Sequence, residues 1–196
     1  MSSERRRSEE RQADYPASDA IMTDASSDSI PAQRMLLRHF LAATAYRTQK
    51  ALRGAPPGYA DFRAAPGVRT PHELLRHMSD VLGYARTFFT GGTWRAETLP
   101  TFADEIQRFH EILEDLGRTI DESAFRSVSA ARLLQGPLSD IMTHAGQLAM
   151  LRRLAGSPVP PEDFVMADVD PDNLGPDQAA AAKPDGEWYP AEDEPW

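Results

Sequence analysis

Large apolar side chains recur at helical spacing in four stretches of the sequence. These stretches cover residues 31–52, 70–90, about 101–117 and about 133–155. Apolar positions three and four residues apart form one side of an α-helix, and that side must be buried against a partner. No stretch alternates regularly enough to predict a β-sheet. The pattern therefore predicts an all-α fold, built as a four-helix bundle.

The ends of the predicted helices carry their own signals. Thr70-Pro71-His72-Glu73 has the form of a capping box, in which a Thr and a Glu satisfy each other's backbone amides. Gly91-Gly92 and Gly156 are suited to end the second and fourth helices. The apolar face of the first helix is predicted to comprise the following residues: Met35, Leu36, His39, Phe40, Ala43 and Tyr46.

The two ends of the chain differ in composition from the middle. Residues 1–28 nearly lack large apolar side chains, which predicts a disordered tail. Residues 159–196 are acidic and proline-rich, which predicts an extended C-terminal extension. Two groups of residues in this extension are candidates for docking on the bundle, namely 164–166 and the aromatic residues Trp188, Tyr189 and Trp196. The helical domain is therefore expected to span residues 29–158.

Charge and composition exclude several functions. The net charge of −9 comes mostly from residues 157–196, which contain eleven Asp or Glu and one Lys. Because neither part of the chain has a basic patch, no nucleic-acid partner is expected. The absence of cysteine excludes disulfides and thiolate metal ligands. No apolar run approaches the ~18 residues that span a bilayer, and no secretory signal is visible. We therefore expect a cytoplasmic protein with no membrane partner.

Five histidines are candidates for chemistry, and two stand out by their context. His77 borders the apolar face of the second helix, and His144 borders that of the fourth. His39 is expected near the apolar face of the first helix, His72 at an exposed first turn, and His110 on the flank of the third helix. A structural histidine is the ordinary interpretation of these last three.

The fourth helix places a carboxylate beside its histidine. Asp140, His144 and Gln147 share one face because they are four and three residues apart. With His77 from another helix, they offer two imidazoles and a carboxylate, ligands that suit a divalent transition metal. In the alternative interpretation, Asp140 is favoured only by the helix dipole and the histidines are hydrogen-bonded core residues. Gly146 indicates the close approach of another helix or of a ligand, because glycine is costly inside a helix.

Two segments of the chain resemble the DinB/YfiT-like superfamily. Residues 70–78 (TPHELLRHM) resemble its second-helix segment, and residues 140–156 (DIMTHAGQLAMLRRLAG) resemble its fourth, where a histidine precedes a Gly-Gln pair. The resemblance covers residues 31–158. It implies an up-down-down-up four-helix bundle, often a homodimer, with a metal held by one histidine of the second helix and two histidines of the fourth.

The resemblance places the metal ligands at His77, Asp140 and His144. The chain departs from the family pattern at Asp140, where the family has a histidine. A set of two histidines and a carboxylate can hold zinc, nickel, iron or manganese. The same departure can equally weaken or abolish metal binding, and the sequence leaves this open.

The resemblance also implies a reaction class. Characterised relatives include transferases and isomerases that use low-molecular-weight thiols such as bacillithiol or mycothiol. We therefore expect a metal that activates a thiol or water for transfer to, or hydrolysis of, a small-molecule substrate. Gln147, Arg152 and Glu73 are expected to support the ligands or bind the substrate, with Arg153 as a further candidate for a substrate carboxylate. The alternative is a non-catalytic scaffold or stress-associated interaction protein with a degenerate metal site.

Overall fold

The computed structural model describes residues 29–183, and its regular elements are helical, with no β-strand in that range. This confirms the all-α prediction for the described part of the chain. The helices are α1 (Ser29–Leu52), α2 (Pro71–Thr90), α3 (Phe102–Glu122), α4 (Ala130–Leu133) and α5 (Ser139–Leu154). The predicted disordered tail and the three C-terminal aromatic residues lie outside the described range. None of the described helices is long and apolar enough to cross a membrane.

The predicted capping box at the start of α2 is confirmed. The Thr70 hydroxyl accepts a hydrogen bond from the Glu73 amide at 3.2 Å, and the Glu73 carboxylate accepts one from the Thr70 amide at 2.8 Å. Helix α3 begins in a similar way, because the Thr101 hydroxyl accepts from the Asp104 amide. Both caps satisfy backbone donors that a helix leaves unpaired at its first turn.

The predicted fourth helix is interrupted near its start. A wide π-helical turn, Leu134–Leu138, separates α4 from α5. Gly136 leaves helical geometry with φ −97° and ψ −105°, and Pro137 follows it. Proline has no amide hydrogen to donate and crowds the preceding turn, so the regular helix cannot continue through this point. The metal-ligand candidate Asp140 therefore lies in the first turn of a new helix.

The buried face of α1 differs from the predicted one. Met35 and Leu36 are 68% and 65% exposed, and His39 is exposed as well. The core instead receives Leu37 and Leu41, which are 3% and 0% exposed. Consecutive apolar residues at 35–37 are about 100° apart around a helix, so their pattern alone does not select which of them faces inward.

Contacts of two arginines on α1 define the direction of α1 relative to α3. Arg34 near the start of α1 donates to the Ser123 carbonyl just after α3, at 2.8 Å. Arg38, one turn later, pairs with Asp121 at 2.8 Å. The beginning of α1 therefore lies at the end of α3, and these two helices run in opposite directions.

Helices α2 and α3 run in the same direction. His72 at the start of α2 lies 3.6 Å from the carboxylate of Glu105 at the start of α3. Arg86 and Asp115, both nearer the other ends, form an ion pair. Since consecutive parallel helices need a connection that returns along their length, residues 91–101 cross back beside α2. Trp94 in this connection lies against Gly83, whose missing side chain leaves room for the indole ring.

Helices α2 and α5 run in opposite directions. Tyr59, which precedes α2, donates from its hydroxyl to the Leu148 carbonyl at 2.7 Å. At the far end of α2, the ring of Phe89 meets that of Phe125, which precedes α4, at a centroid distance of 5.7 Å. This arrangement brings the first half of α2 alongside the first half of α5, where the candidate ligands lie.

The chain after α5 contributes to the same core. Leu174 is 2% exposed, and its carbonyl accepts a hydrogen bond from Nδ1 of His110 at 2.8 Å. Glu162 accepts hydrogen bonds from Tyr46 and Lys50, each at 2.6 Å. The hydrogen bonds of Glu162 and Leu174 thus fall on α1 and α3. The compact part of the chain therefore continues past residue 158, the boundary expected from composition.

Only one residue of the predicted docking group 164–166 is docked. Phe164 meets the Tyr46 ring edge-on at 6.4 Å, and the guanidinium of Arg47 lies 3.7 Å from the centre of the Phe164 ring. Val165 and Met166 are 91% and 48% exposed. The three residues form a short 3₁₀ turn, which directs consecutive side chains to different sides.

Two glycine-to-alanine substitutions are expected to have opposite effects on stability. A methyl group at Gly117 would lie 2.6 Å from the Leu174 side chain, so Gly117→Ala should lower the free energy of unfolding by about 1–3 kcal/mol. Gly146 lies in α5 with no described atom within 4 Å of the added carbon, which gives no sign of the helix contact expected there. Gly146→Ala should therefore raise the free energy of unfolding by about 0.5–1 kcal/mol.

Urea denaturation followed by circular dichroism measures both effects. Hydrogen exchange shows where Gly117→Ala destabilises the protein. Amide exchange in residues 167–178 should be faster in Gly117→Ala and unchanged in Gly146→Ala. Equal stability of the two variants would contradict the described packing of Leu174 against α3.

Candidate metal centre

The side chains of His77, Asp140 and His144 converge in the groove between α2 and α5. One potential ligand atom from each residue lies within 4.8 Å of the other two, a group that could hold a metal ion. His77 comes from the second turn of α2, and the other two come from successive turns of α5. These turns lie side by side, with the His77 and His144 ring centres 4.9 Å apart. No other such group of three is found among residues 29–183.

His144 presents a buried nitrogen with no hydrogen bond. The residue is 7% exposed, and its Nδ1 lies 2.9 Å from the side-chain oxygen of Gln147. Because an amide oxygen can only accept, Nδ1 is the donor in this contact, and in a neutral imidazole the lone pair then lies on Nε2. Nε2 is buried and forms no hydrogen bond with the described residues. The Nε2 atoms of His72 and His110 are also buried without a hydrogen bond, but among the described residues only that of His144 faces two further candidate ligands.

Asp140 lies one turn before His144 on the same face of α5. Its Oδ1 is 3.5 Å from Nε2 of His144, a distance too long for a good hydrogen bond. The Asp140 side chain is 48% exposed, whereas that of His144 is 10% exposed. The group is therefore closed on the His144 side and open to solvent on the Asp140 side, where a small molecule could enter.

His77 completes the group from α2. Its ring centre lies 4.9 Å from that of His144, and the two planes make an angle of 71°. Burial lowers the pKa of His77, and Arg69 and His144 lower it further, while Asp140 and Asp80 act in the opposite sense. The lowered pKa favours the neutral imidazole, which is the form that binds metals.

The structure places Glu73 in a structural role. One carboxylate oxygen accepts the capping hydrogen bond from Thr70, and the other accepts from Arg63 at 2.9 Å. The hydrogen bond from Thr70, followed by that from Arg63, lowers the pKa of Glu73. Both oxygens thus already accept hydrogen bonds at the start of α2.

The Arg152 side chain likewise forms its hydrogen bonds within the fold and not at the candidate metal centre. Its Nε donates to the Ser157 carbonyl at 2.9 Å, and Nη1 donates to the carbonyls of Ala51 and Arg53, each at 3.0 Å. Its Nη2 donates to the Gly54 carbonyl and the Ser157 hydroxyl. A guanidinium has five N–H donors, and all five are used. The expectation that Arg152 binds a substrate carboxylate is therefore wrong: this side chain caps the end of α1.

The remaining histidines differ from their predicted environments. His39 is exposed rather than near the core, because α1 is rotated from its predicted face. His72 is half-buried beside Glu105 rather than exposed, because α3 covers the first turn of α2. His110 is 1% exposed rather than on a flank, because the segment around Leu174 covers it. None of the three belongs to the group at the centre.

Arg69 is a neighbour of the site that sequence reasoning missed. It immediately precedes the capping residue Thr70, is exposed, and acts electrostatically on His77. Nothing in the local sequence distinguishes it from the arginines at 63 and 76, so only the folded arrangement identifies it.

Replacing Arg69 with alanine is expected to raise the pKa of His77. The guanidinium disfavours the protonated imidazole, and its removal withdraws that penalty. An NMR titration of the histidine ring protons in metal-free protein measures the shift. Arg126→Ala, at an exposed position in the connection before α4, is the control and should leave the His77 pKa unchanged. A fall or no change in the His77 pKa of Arg69→Ala would contradict the described proximity.

Two imidazoles and a carboxylate are thus arranged as a group that could hold a metal ion. His77 and His144 each offer an imidazole nitrogen, and Asp140 offers an oxygen on the open side. No family model, curated protein or solved structure matches this chain.

Proposed function

We propose that the chain is a DinB-like metalloprotein in which His77, Asp140 and His144 bind a divalent transition metal. In this proposal the metal activates a thiol or water for transfer to, or hydrolysis of, a small-molecule substrate. The observation that carries the proposal is the buried Nε2 of His144, which has no hydrogen bond and faces a carboxylate and a second imidazole.

The residues present fit a metal ion. Zinc ligands lie about 2.0–2.2 Å from the ion, so three atoms now within 4.8 Å would approach by roughly 1 Å on binding. Two neutral nitrogens and one carboxylate oxygen form a donor set used for zinc, nickel, iron and manganese. Three protein ligands leave a coordination position for a further molecule.

The helix directions also support a DinB-like arrangement. Helices α2 and α3 are parallel, whereas α1 is antiparallel to α3 and α5 is antiparallel to α2. These relations correspond to an up-down-down-up order. The resemblance further leads us to propose a homodimer, which analytical ultracentrifugation would test.

The protein residues have distinct roles in this proposal. Gln147 accepts from Nδ1 of His144 and so holds the ring with its Nε2 lone pair towards the site. Asp140 supplies the ligand on the exposed side, beside which a substrate enters. When bound, a divalent metal lowers the pKa of a thiol or water and thereby supplies a nucleophile near neutral pH. Because the chain has no cysteine, the thiol must arrive as a separate molecule.

Metal analysis tests this proposal. The protein, prepared without a histidine tag, should retain about one divalent metal per chain, and His77→Ala should lose it. Asp140→Ala should bind the metal more weakly, and Asp140→His should retain it. If the wild-type protein and His77→Ala hold equal metal, the metal-centre proposal is wrong. A metal-containing protein is then assayed for thiol transfer to a panel of electrophiles.

A further inference from the structure

One face of α2 continues from the candidate metal centre as an aromatic strip. Val81, Tyr84 and Phe88 lie four, seven and eleven residues after His77, spacings that place all four on one side of the helix. Helical side chains lean towards the helix N-terminus, so the Tyr84 ring leans towards His77. At about 1.5 Å per residue, the strip extends roughly 16 Å from His77.

The strip is partly exposed to solvent, although aromatic side chains are usually buried. Tyr84 is 54% exposed, and Val81 and Phe88 are half-buried against the core. The Tyr84 and Phe88 rings meet edge-on at a centroid distance of 4.9 Å. An aromatic pair of this kind presents a rigid apolar surface, because each ring has few rotatable bonds and the partner ring restrains it.

The strip lies on the open side of the centre. Because α2 and α5 are antiparallel, moving from His77 towards Phe88 leads past Asp140 and towards the turn Leu134–Leu138, which α2 contacts. Asp140 is the exposed member of the triad. The strip therefore borders the side of the centre on which Asp140 is exposed.

We infer that the site accepts substrates that carry an apolar group, preferably an aromatic ring, which rests on Val81, Tyr84 and Phe88. This inference rests on the proposed metal centre. Three side chains on a single helix offer much less surface than the roughly 800 Å² that each partner buries in a stable protein complex. Their extent matches a small molecule anchored at the centre, which is why we assign them to the substrate.

Two metal-binding probes that differ in one group test the inference. Benzohydroxamate and acetohydroxamate share the chelating group, but only the former has a ring. Isothermal titration of the zinc-loaded protein should show that benzohydroxamate binds at least about tenfold more tightly. In Tyr84→Gln this ratio should fall to about twofold or less, and in Tyr84→Phe it should be retained. Leu36→Gln, at a 65% exposed apolar position on α1, should keep the wild-type ratio.

The outcomes separate this inference from the proposed function. Equal affinity of the zinc-loaded protein for both probes would overturn the aromatic preference but leave the metal centre intact. Failure of the protein to bind zinc would overturn both. Sedimentation of Tyr84→Gln should match that of the wild-type protein. A change in its oligomeric state would instead assign the strip to contact between two copies of the chain, and would overturn its assignment to a substrate.

Discussion

Replacing His144 with alanine is expected to lower the affinity for zinc by about a hundredfold or more. The change removes the most buried ligand, whose Nε2 has no other partner. Competition with a chromogenic chelator measures the dissociation constant. The fold should survive, because the His144 side chain forms a hydrogen bond only with Gln147 among the described residues. Circular dichroism checks this directly.

Two variants make the His144 result specific. Gln147→Leu removes the acceptor that orients the ring, and it should weaken zinc binding by about tenfold. His39→Ala removes an exposed histidine on α1 and should leave the affinity unchanged. If His39→Ala and His144→Ala lower the affinity equally, zinc binds at surface histidines and the centre is not a metal site.

Replacing Arg152 with methionine is expected to lower the free energy of unfolding by about 3 kcal/mol or more. The substitution keeps much of the side-chain volume but removes all five N–H donors. The carbonyls of Ala51, Arg53 and Ser157 would lose their hydrogen bonds, and the Ala51 carbonyl is buried. Losing a charged donor to a buried acceptor costs about 1.5–3 kcal/mol per bond.

Urea denaturation measures the effect of Arg152. Arg152→Lys should lie between the wild-type protein and Arg152→Met, because an ammonium group has three donors and cannot span the same acceptors. Arg153→Ala, at the exposed neighbouring position, should change the unfolding free energy by less than about 1 kcal/mol. A similar loss in Arg152→Met and Arg153→Ala would contradict the capping role.

Much of the local structure was predictable because it depends on neighbouring residues. The capping box at Thr70 and Glu73 requires only residues three apart, and the structure forms it as expected. The same logic places Asp140, His144 and Gln147 on one face of α5. The pairing of that face with His77 was only a hypothesis, because the residues are far apart in sequence and the spacing within one helix does not specify its partner.

Other features depended on contacts that no local pattern contains. The rotation of α1 was decided by packing, since Leu36 and Leu37 are equally apolar but only Leu37 reaches the core. The sequence predicts that the third helix ends near Gly117, but α3 continues to Glu122. Gly117 does not end the helix; it allows Leu174 to pack closely against α3. The buried position of His110 likewise depends on a segment that lies 64 residues away in the chain.

The sequence by itself determined the helical class, the helix caps and the identities of His77, Asp140 and His144 as candidate ligands. These follow from side-chain chemistry and from the repeat of a helix, which are local properties. Only the tertiary structure decided that the three ligand atoms lie within 4.8 Å of one another and that Arg152 is used by the fold. Both depend on which helices become neighbours, and that choice is made by burial over the whole core rather than by any one segment.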